Sequence, residues 1–331
     1  MYNLLFTNAG RRATLLCDMK ESFQNQGKIV ATDNWAVAPA LFKADRYYIT
    51  PKINADGYFE ELNRIIRTEE INMVTTLIDP EISILSKNRD ELIKQDVLPL
   101  CPSSATAELC FDKYKMFLYL KENKINTVDT YDGLQSFVKA YRNHEIKFPV
   151  FIKPRTGSGS VGAQRIDNME TLKDVISNSP YNYIIQEYMD GEDCDADVYV
   201  DAISHVAVAC FCKKKIETRI GGASKTISFK DKELFLLIEE IVSKFEFSGP
   251  IDMDFFYKNG KYYLSEINPR FGGAYLHAYG AGVDFGKLIA KNIDGKCNEK
   301  ILGNYKEDSI MLMYDAVVIT NKNELKGDYR D

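Results

Sequence analysis

A surplus of positive charge is missing from this chain: 42 Lys and Arg stand against 48 Asp and Glu, for a formal net charge of −6 and a pI near 5.4. That balance argues against a generally basic nucleic-acid-binding surface, so a polyanion would have to be met by local Lys/Arg clusters or by a metal. Long apolar runs are missing too. None approaches the ~18–20 residues of a membrane span. The opening MYNLLFTNAGRR places its charges after a short apolar run, the reverse of a secretory leader. Histidine is scarce: His144, His205 and His277 show no H-x-x-x-H spacing, which speaks against a His-rich zinc centre. No G-x-S-x-G elbow supports a serine nucleophile. The seven cysteines are odd in number and scattered, and read as reduced thiols of a cytoplasmic protein, with the Cys210-x-Cys212 pair structural. What is present, 331 residues with 45% apolar content, suffices for two or three domains of an α/β protein that is metal-poor or binds metal through oxygen.

The first hundred residues alternate strand and helix signals. Apolar runs at 4–7, 28–32, 47–50, 72–77 and 97–101 read as strands. Between them lie helical patterns reaching to about 26 and covering 58–68 and 81–94. Such alternation with short connections predicts a mostly parallel, right-handed, Rossmann-like sheet, with Asn8 to Arg12, Asp33 and Asp79 rimming a crevice beyond the strand ends. One helix over 104–123, carrying Asp112-Lys113, comes next. Beyond it the pattern becomes α+β: strands at 148–153 and 183–188 around a helix at 171–177, a β-rich run over 198–212, a helix over 232–245, a hairpin of 251–257 with 262–267, a helix near 285–293, and a last strand over 310–319.

Three local features carry chemistry. In FPVFIKPRTGSGSVG a strand delivers Lys153, and Gly157, Gly159 and Gly162 follow. The literal G-x-G-x-x-G match lacks a following helix, and no Gly-Lys-Ser/Thr ends the loop, so neither dinucleotide fingerprint nor Walker A fits. The glycines, with Ser158 and Ser160, instead predict a β-turn-β flap that closes over phosphates through backbone N–H groups, with Lys153 as phosphate partner. In YNYIIQEYMDGEDCDAD a strand ends at Glu187, whose carboxylate can accept a base's amino group beside the backbone of Tyr188 and Met189. Glu192, Asp193 or Asp195 could take ribose hydroxyls. In IDMDFFYKNGKYYLSEINPR, Glu266, Asn268 and Arg270 alternate onto one strand face, and Asp252 and Asp254 share a face of the partner strand. Asp254, Glu266 and Asn268 form a hard oxygen set suited to Mg²⁺, and Arg270 can hold a terminal phosphoryl group bidentately. Bringing Asp254 and Glu266 to one face predicts a three-residue loop with Gly260 at positive φ; a two-residue loop would pair Asp254 with Ser265.

Flap, acidic hinge and metal hairpin in this order resemble the ATP-grasp superfamily, and within it the single-unit proteins similar to the carbamoyl-phosphate synthase large subunit. LLFTNAGRR, ATDNWAVAPALFKADRYYITP and CPSSATAELCFDKYKMFLYLKEN extend the likeness over nearly the whole chain. The resemblance implies a pre-ATP-grasp Rossmann-like domain at 1–103, a small lobe with the glycine flap at 104–186, and a large lobe with the metal site at 187–331. It implies that Lys113 and Lys153 contact ATP, that Glu187, Tyr188 and Met189 hold the adenine and Asp193 or Asp195 the ribose. It further implies that Asp254, Glu266 and Asn268 bind Mg²⁺ or Mn²⁺, and that Arg270 reaches the γ-phosphate. In the segment KKKIETRIGGAS, Arg219 is the better candidate for a phosphate or acid substrate, while Lys213 to Lys215 read as a solvated charge run. The activity implied is an ADP-forming carboxylate–amine ligase working through an acyl phosphate on a small acid and an amine. Fold analogy suggests a dimer, and no nucleic-acid or membrane partner is expected. Two alternatives stand beside it: a subunit of a split carbamoyl-phosphate synthase using bicarbonate or carbamate, and a non-catalytic ATP sensor. A full synthase large subunit carries two such units plus an allosteric domain, so complete carbamoyl-phosphate synthesis by this chain alone is not expected.

Overall fold

A computed structural model describes residues 1–159, 161–219 and 222–328. The N-terminal part is a parallel sheet of five strands, ordered β3-β2-β1-β4-β5. In chain order its elements are β1 (Leu4–Thr7), α1 (Ala13–Ser22), β2 (Ile29–Asp33), β3 (Arg46–Ile49), α2 (Tyr58–Thr68), β4 (Met73–Thr76), α3 (Asp79–Lys87), α4 (Arg89–Lys94) and β5 (Leu98–Pro99). β1, β2 and β4 are buried along their whole length because a parallel sheet is covered on both faces. Leu62, Ile65 and Ile66 of α2 cover one face with Val30 and Val74. Leu15, Leu16 and Met19 of α1 cover the other, in a core that continues through Phe6 into Tyr199, Phe211, Phe271 and Tyr275 of the C-terminal part. The strand order reverses between β1 and β4, so the loops after them flank the crevice that the sequence pattern predicts.

Next come α5 (Ser104–Phe111) and α6 (Lys113–Glu122). The single helix expected over 104–123 is broken at Asp112, whose extended backbone (φ −99°, ψ 99°) ends one helix while its side chain caps the next, accepting bonds from the N–H groups of Tyr114 and Lys115. The helix expected over 81–94 is likewise two, α3 and α4, parted at Asn88. A four-stranded antiparallel sheet, β6-β9-β7-β8, is built from β6 (Thr130–Asp132), β7 (Val150–Pro154), β8 (Gln164–Ile166) and β9 (Tyr183–Glu187), with α7 (Gly133–Arg142) and α8 (Met169–Ser177) against it. The sequence pattern missed β6 and α7.

The largest sheet is antiparallel and ordered β14-β13-β10-β11-β12-β15. Its elements are β10 (Glu192–Val200), β11 (Ala207–Arg219), β12 (Gly222–Phe229), α9 (Lys232–Val242), β13 (Gly249–Lys258), β14 (Lys261–Asn268), α10 (Tyr275–Gly280), α11 (Phe285–Ile293) and β15 (Ile310–Leu312). The last strand is three residues long, not the stretch to 319 that its composition suggests. Leu234, Ile238 and Ile241 of α9 and Met116 and Leu120 of α6 cover one face of this sheet. The opposite face is divided. Tyr199 and Phe211 meet the N-terminal layer, whereas further along the same strands Asp193, Asp195, Asp197, Lys213 and Lys215 carry charge. All seven cysteines are free thiols; Cys17 and Cys297 are exposed, so not every one belongs to a core. Among the described residues no helix is long and apolar enough to cross a membrane.

Candidate nucleotide and metal site

The hairpin β13–β14 turns through two residues, with Lys258 opposite Lys261 and both Asn259 (φ 52°) and Gly260 (φ 75°) in the left-handed region. The three-residue loop expected from the sequence is therefore wrong: Asn-Gly satisfies the two positive φ angles of a tight hairpin turn. The extra residue lies further along, where Phe255 faces Leu264 but the next pair is Asp254 with Glu266, leaving Ser265 as a bulge. This inverts the alternation of β14. Leu264 joins the apolar core, and Glu266, two positions on, stands with Asp254 on the charged face; Asp252 faces Asn268.

Register extends these pairs across the sheet, since Asp254 also faces Asp195, Asp252 faces Asp197, and Asp195 faces Lys213. Lys213 is wholly buried; its Nζ lies 2.7 Å from Asp195 Oδ1 and donates to Asp197 Oδ2. Lys215 Nζ sits 2.6 Å from Asp254 Oδ1 and 2.9 Å from Asp193 Oδ1. A solvated charge run is thus the wrong description of Lys213 and Lys215, while Lys214 between them stays partly open. The period-2 alternation of Lys213 and Lys215 against Asp193, Asp195 and Asp197 was the available signal. Burial drives the Asp254 carboxyl upward, but the bonded Lys215 ammonium outweighs it and holds the group below the usual carboxylate range. Burial, reinforced by Asp254, pushes Asp252 up.

Above this row stand two lysines from other elements. Lys153, at the end of β7, and Lys113, at the start of α6, each place Nζ 3.6 Å from one oxygen of Glu266. Burial lowers the pKa of Lys153, Glu266 opposing and Lys113 adding to the fall. Lys113 also donates to the carbonyl of Gly157, at 2.7 Å. β7 and β8 pair antiparallel as a β-turn-β unit, and the described residues between them form no helix, as the pattern predicts. Gly157 (φ 111°), Gly159 (φ 71°) and Gly162 (φ 73°) adopt backbone that side chains resist. Ser158 lies in the same loop, and Ser160 falls outside the described residues. At the loop's base Arg155 forks onto Asp112, with Nη2 2.8 Å from Oδ2 and Nε 2.9 Å from Oδ1, and reaches Asp132 at 3.0 Å. Its carbonyl accepts the N–H of Lys113. This fork ties flap base to helix start, and the sequence reading missed it.

The other site candidates scatter around this centre. Glu187 ends β9 and pairs with Lys258 at 3.0 Å; Tyr188 lies under the Arg165 guanidinium, 4.8 Å from ring centroid, and Met189 is buried. Of the three ribose candidates, Glu192 pairs with Lys214 and Asp193 with Lys215, both partly open. Asp195 is sealed in the row with Lys213, which removes it from the surface a ribose would meet. Arg270 is bridged to Asp79 of α3 (Nε to Oδ1, 2.9 Å) and to Asp252 (3.3 Å), so it links the large sheet to the N-terminal layer. Arg219 is exposed at the end of β11, and among the described residues no contact brings it to the Asp254–Glu266 pair. Of the neighbouring Gly221-Gly222, Gly221 lies outside the described residues.

Two opposed carboxylates beside an amide are an all-oxygen set. Asn268 gives its nitrogen, not its oxygen, to Asp254 (3.4 Å), and among the described residues no three His, Cys, Asp or Glu form a cage of their own. That set fits a hard divalent cation that completes its shell with ligand oxygens or water. Lysines poised over carboxylates beneath a glycine loop could serve an anion and a cation together in an acidic chain. Residues 110–274 match the ATP-grasp domain model, and residues 4–100 match the PylC-like N-terminal domain model. The chain is an ATP-grasp protein. It is 21% identical over 238 residues to the carbamoyl phosphate synthase arginine-specific large chain of Bacillus subtilis (strain 168), covering 69% of this chain and 22% of that one. It spans about a fifth of the length of the curated relatives it matches. Its fold superposes with TM-score 0.71 and 17% identity on N5-carboxyaminoimidazole synthetase from Staphylococcus aureus complexed with ADP, covering 94% of this chain and 80% of that one. It superposes with TM-score 0.69 and 17% identity on an L-amino acid ligase from Bacillus licheniformis, covering 90% and 75%. At these identities the structural likeness concerns the fold.

Proposed function

We propose that this ATP-grasp protein is an ADP-forming carboxylate–amine ligase that activates a small acid as its acyl phosphate. The observation that carries the reading is the convergence of Lys113 and Lys153 on Glu266, itself opposite Asp254, under the flap carbonyl that Lys113 already holds. On this reading MgATP lies between 104–186 and 187–331. Glu187 takes the adenine amino group with the backbone of Tyr188 and Met189, and Asp193 takes the ribose. Gly157, Gly159 and Gly162 turn N–H groups toward the phosphates, and Lys113 and Lys153 exchange Glu266 for phosphate oxygens. Mg²⁺ or Mn²⁺ held by Asp254, Glu266 and Asn268 would neutralise phosphate charge.

The chain's own groups then position and shield. An acid oxygen attacks the γ-phosphorus, the bond to the β,γ-bridging oxygen breaks, and ADP leaves with that electron pair. Arg270, with Arg219 on closure, faces the charge developing on the transferred group. An amine next attacks the acyl carbon and phosphate departs with the acid's oxygen, the amine losing its proton to solvent. A closed flap keeps water from the acyl phosphate. With ¹⁸O in the carboxylate of an accepted acid, label should appear in inorganic phosphate, followed by mass spectrometry; turnover with unlabelled phosphate would sink the acyl-phosphate step.

The match to a carbamoyl phosphate synthase chain over 69% of this sequence supports a second reading, a synthase-like subunit acting on bicarbonate or carbamate. Bicarbonate-dependent ADP release without any amino acid would select it.

A further inference from the structure

Far from the nucleotide site, the segment from β15 onward carries a surface that the ligase reading leaves unused. Ile310, Leu312, Met313, Tyr314, Val317 and Ile319 are all exposed, the last three of them to 86%, 83% and 92%. They are six of the nineteen large apolar side chains exposed among the described residues, gathered within ten positions and interrupted by one charge, Asp315. Apolar residues scattered singly over a surface need no explanation, but a contiguous set of this size does.

The segment is anchored at both ends. β15 is the edge strand of the large sheet, and after it Met313 still donates its N–H to the carbonyl of Ser224. From there 313–320 runs without helix, turn or bend. The chain is then tied to β3, the edge strand of the parallel sheet. The Tyr47 hydroxyl donates to the Glu324 carbonyl at 2.8 Å, and Lys326 Nζ donates to the Tyr47 carbonyl at 2.8 Å. The span between these anchors has the composition of a strand, with Tyr314, Val317, Val318, Ile319 and Thr320. Yet among the described residues no backbone group is bonded to the N–H or C=O groups of 314–320.

A held segment of strand composition with open N–H and C=O groups is a template for another strand. The patch itself narrows what that strand is. A charged segment would find one carboxylate and no row of ions to match, whereas a second copy meets apolar side chains with apolar side chains. Two copies related by a two-fold axis run antiparallel, each supplies the donors and acceptors the other needs, and the contact is closed. The area agrees: the six side chains offer on the order of 700 Å², near the ~800 Å² per partner of a standard interface.

We propose that 310–319 is the interface of a homodimer, in which this segment pairs antiparallel with the same segment of a second copy. The strand that the sequence pattern predicts as far as 319 then finds in the dimer the partner that β15 finds for only three residues within one chain. The inference is independent of the ligase reading.

The experiment uses the full chain, with sedimentation equilibrium for mass and amide hydrogen exchange for the segment, both over a range of micromolar concentrations. Wild type should be dimeric, with exchange of 313–320 slowing as concentration rises. Val317→Lys combined with Ile319→Lys puts ammonium groups into the contact and should weaken association by about a hundredfold or more. Circular dichroism should match wild type, since neither side chain is packed in the chain's own core. Val317→Thr combined with Ile319→Thr keeps β-branched residues and removes apolar surface, so it should weaken association less, by roughly tenfold. That milder pair decides the matter if the lysine pair fails to fold. A wild-type monomer whose 313–320 amides exchange at the same fast rate at every concentration would overturn the interface. A dimer that both double variants leave intact would place the contact elsewhere and overturn it as well.

Discussion

The hairpin β13–β14 joins long strands through Asn259 and Gly260 alone, whereas β7–β8 joins short strands through residues 155–163. Every acidic side chain that the first presents to the site is paired: Asp252 with Arg270, Asp254 with Lys215, Glu266 between Lys113 and Lys153. The second presents mainly backbone. A Cβ added at Gly157 or Gly159 would meet nothing within 4 Å, so these glycines serve conformation and not packing. The difference separates two tasks. A fixed carboxylate pair needs strands whose register is over-determined, while a loop proposed to meet phosphate with its N–H groups needs chain that side chains leave alone.

That contrast can be broken at its centre first. Glu266→Ala removes the residue on which both lysines converge, and should lower turnover by about 10³-fold or more, on the scale of losing a key electrostatic group. Circular dichroism and the melting curve should stay near wild type, since the side chain lies on the face and not in the core. Full activity would dismiss the metal and phosphate role of the pair. Next, Arg155→Ala should release the flap base from Asp112, raising KM for ATP by about tenfold with a smaller change in kcat, as expected for lost uniform binding; Arg155→Lys should recover only part of it, because an ammonium cannot reproduce the fork. Equal losses in kcat and kcat/KM would show the fork acting in the transition state. The smallest effect compares glycines. Gly260→Ala, at φ 75°, should cost about 1–2 kcal/mol in denaturant unfolding and leave KM alone. Gly159→Ala, at φ 71°, carries the same backbone strain and should in addition raise KM for ATP a fewfold. Identical behaviour of the two variants would erase the distinction between the hairpins.

Much of this was legible in residue order. Apolar runs located the five parallel strands, and Asn-Gly located the hairpin turn. Alternation put Glu266 and Asn268 together, because period and turn chemistry are local properties. The bulge at Ser265 was not legible: nothing about a serine between leucine and glutamate announces that two residues will face one, and only packing of Leu264 against the core reveals it. Asp112 showed the same limit. A capping residue in mid-pattern reads as one more helical position until the chain turns on it. Lys213 was misjudged because charge runs are commonly solvated, and its burial depends on carboxylates from β10, which pattern reading of one segment does not bring alongside. The Asp79–Arg270 bridge spans 191 positions and is a product of tertiary structure alone.

That bridge has a consequence for how the molecule could be divided. Arg270 hangs from the end of β14 and finds Asp79 on the far side of a seam, beside a core in which Phe6 meets Phe271. A fragment beginning at residue 104 would keep the strands of the proposed nucleotide site, yet it would expose Tyr199, Phe211, Phe271 and Tyr275 as a greasy surface and strip Arg270 of one counter-ion, Asp79. Whoever wishes to graft these two lobes into another polypeptide should therefore carry the first hundred residues with them as an indivisible cargo.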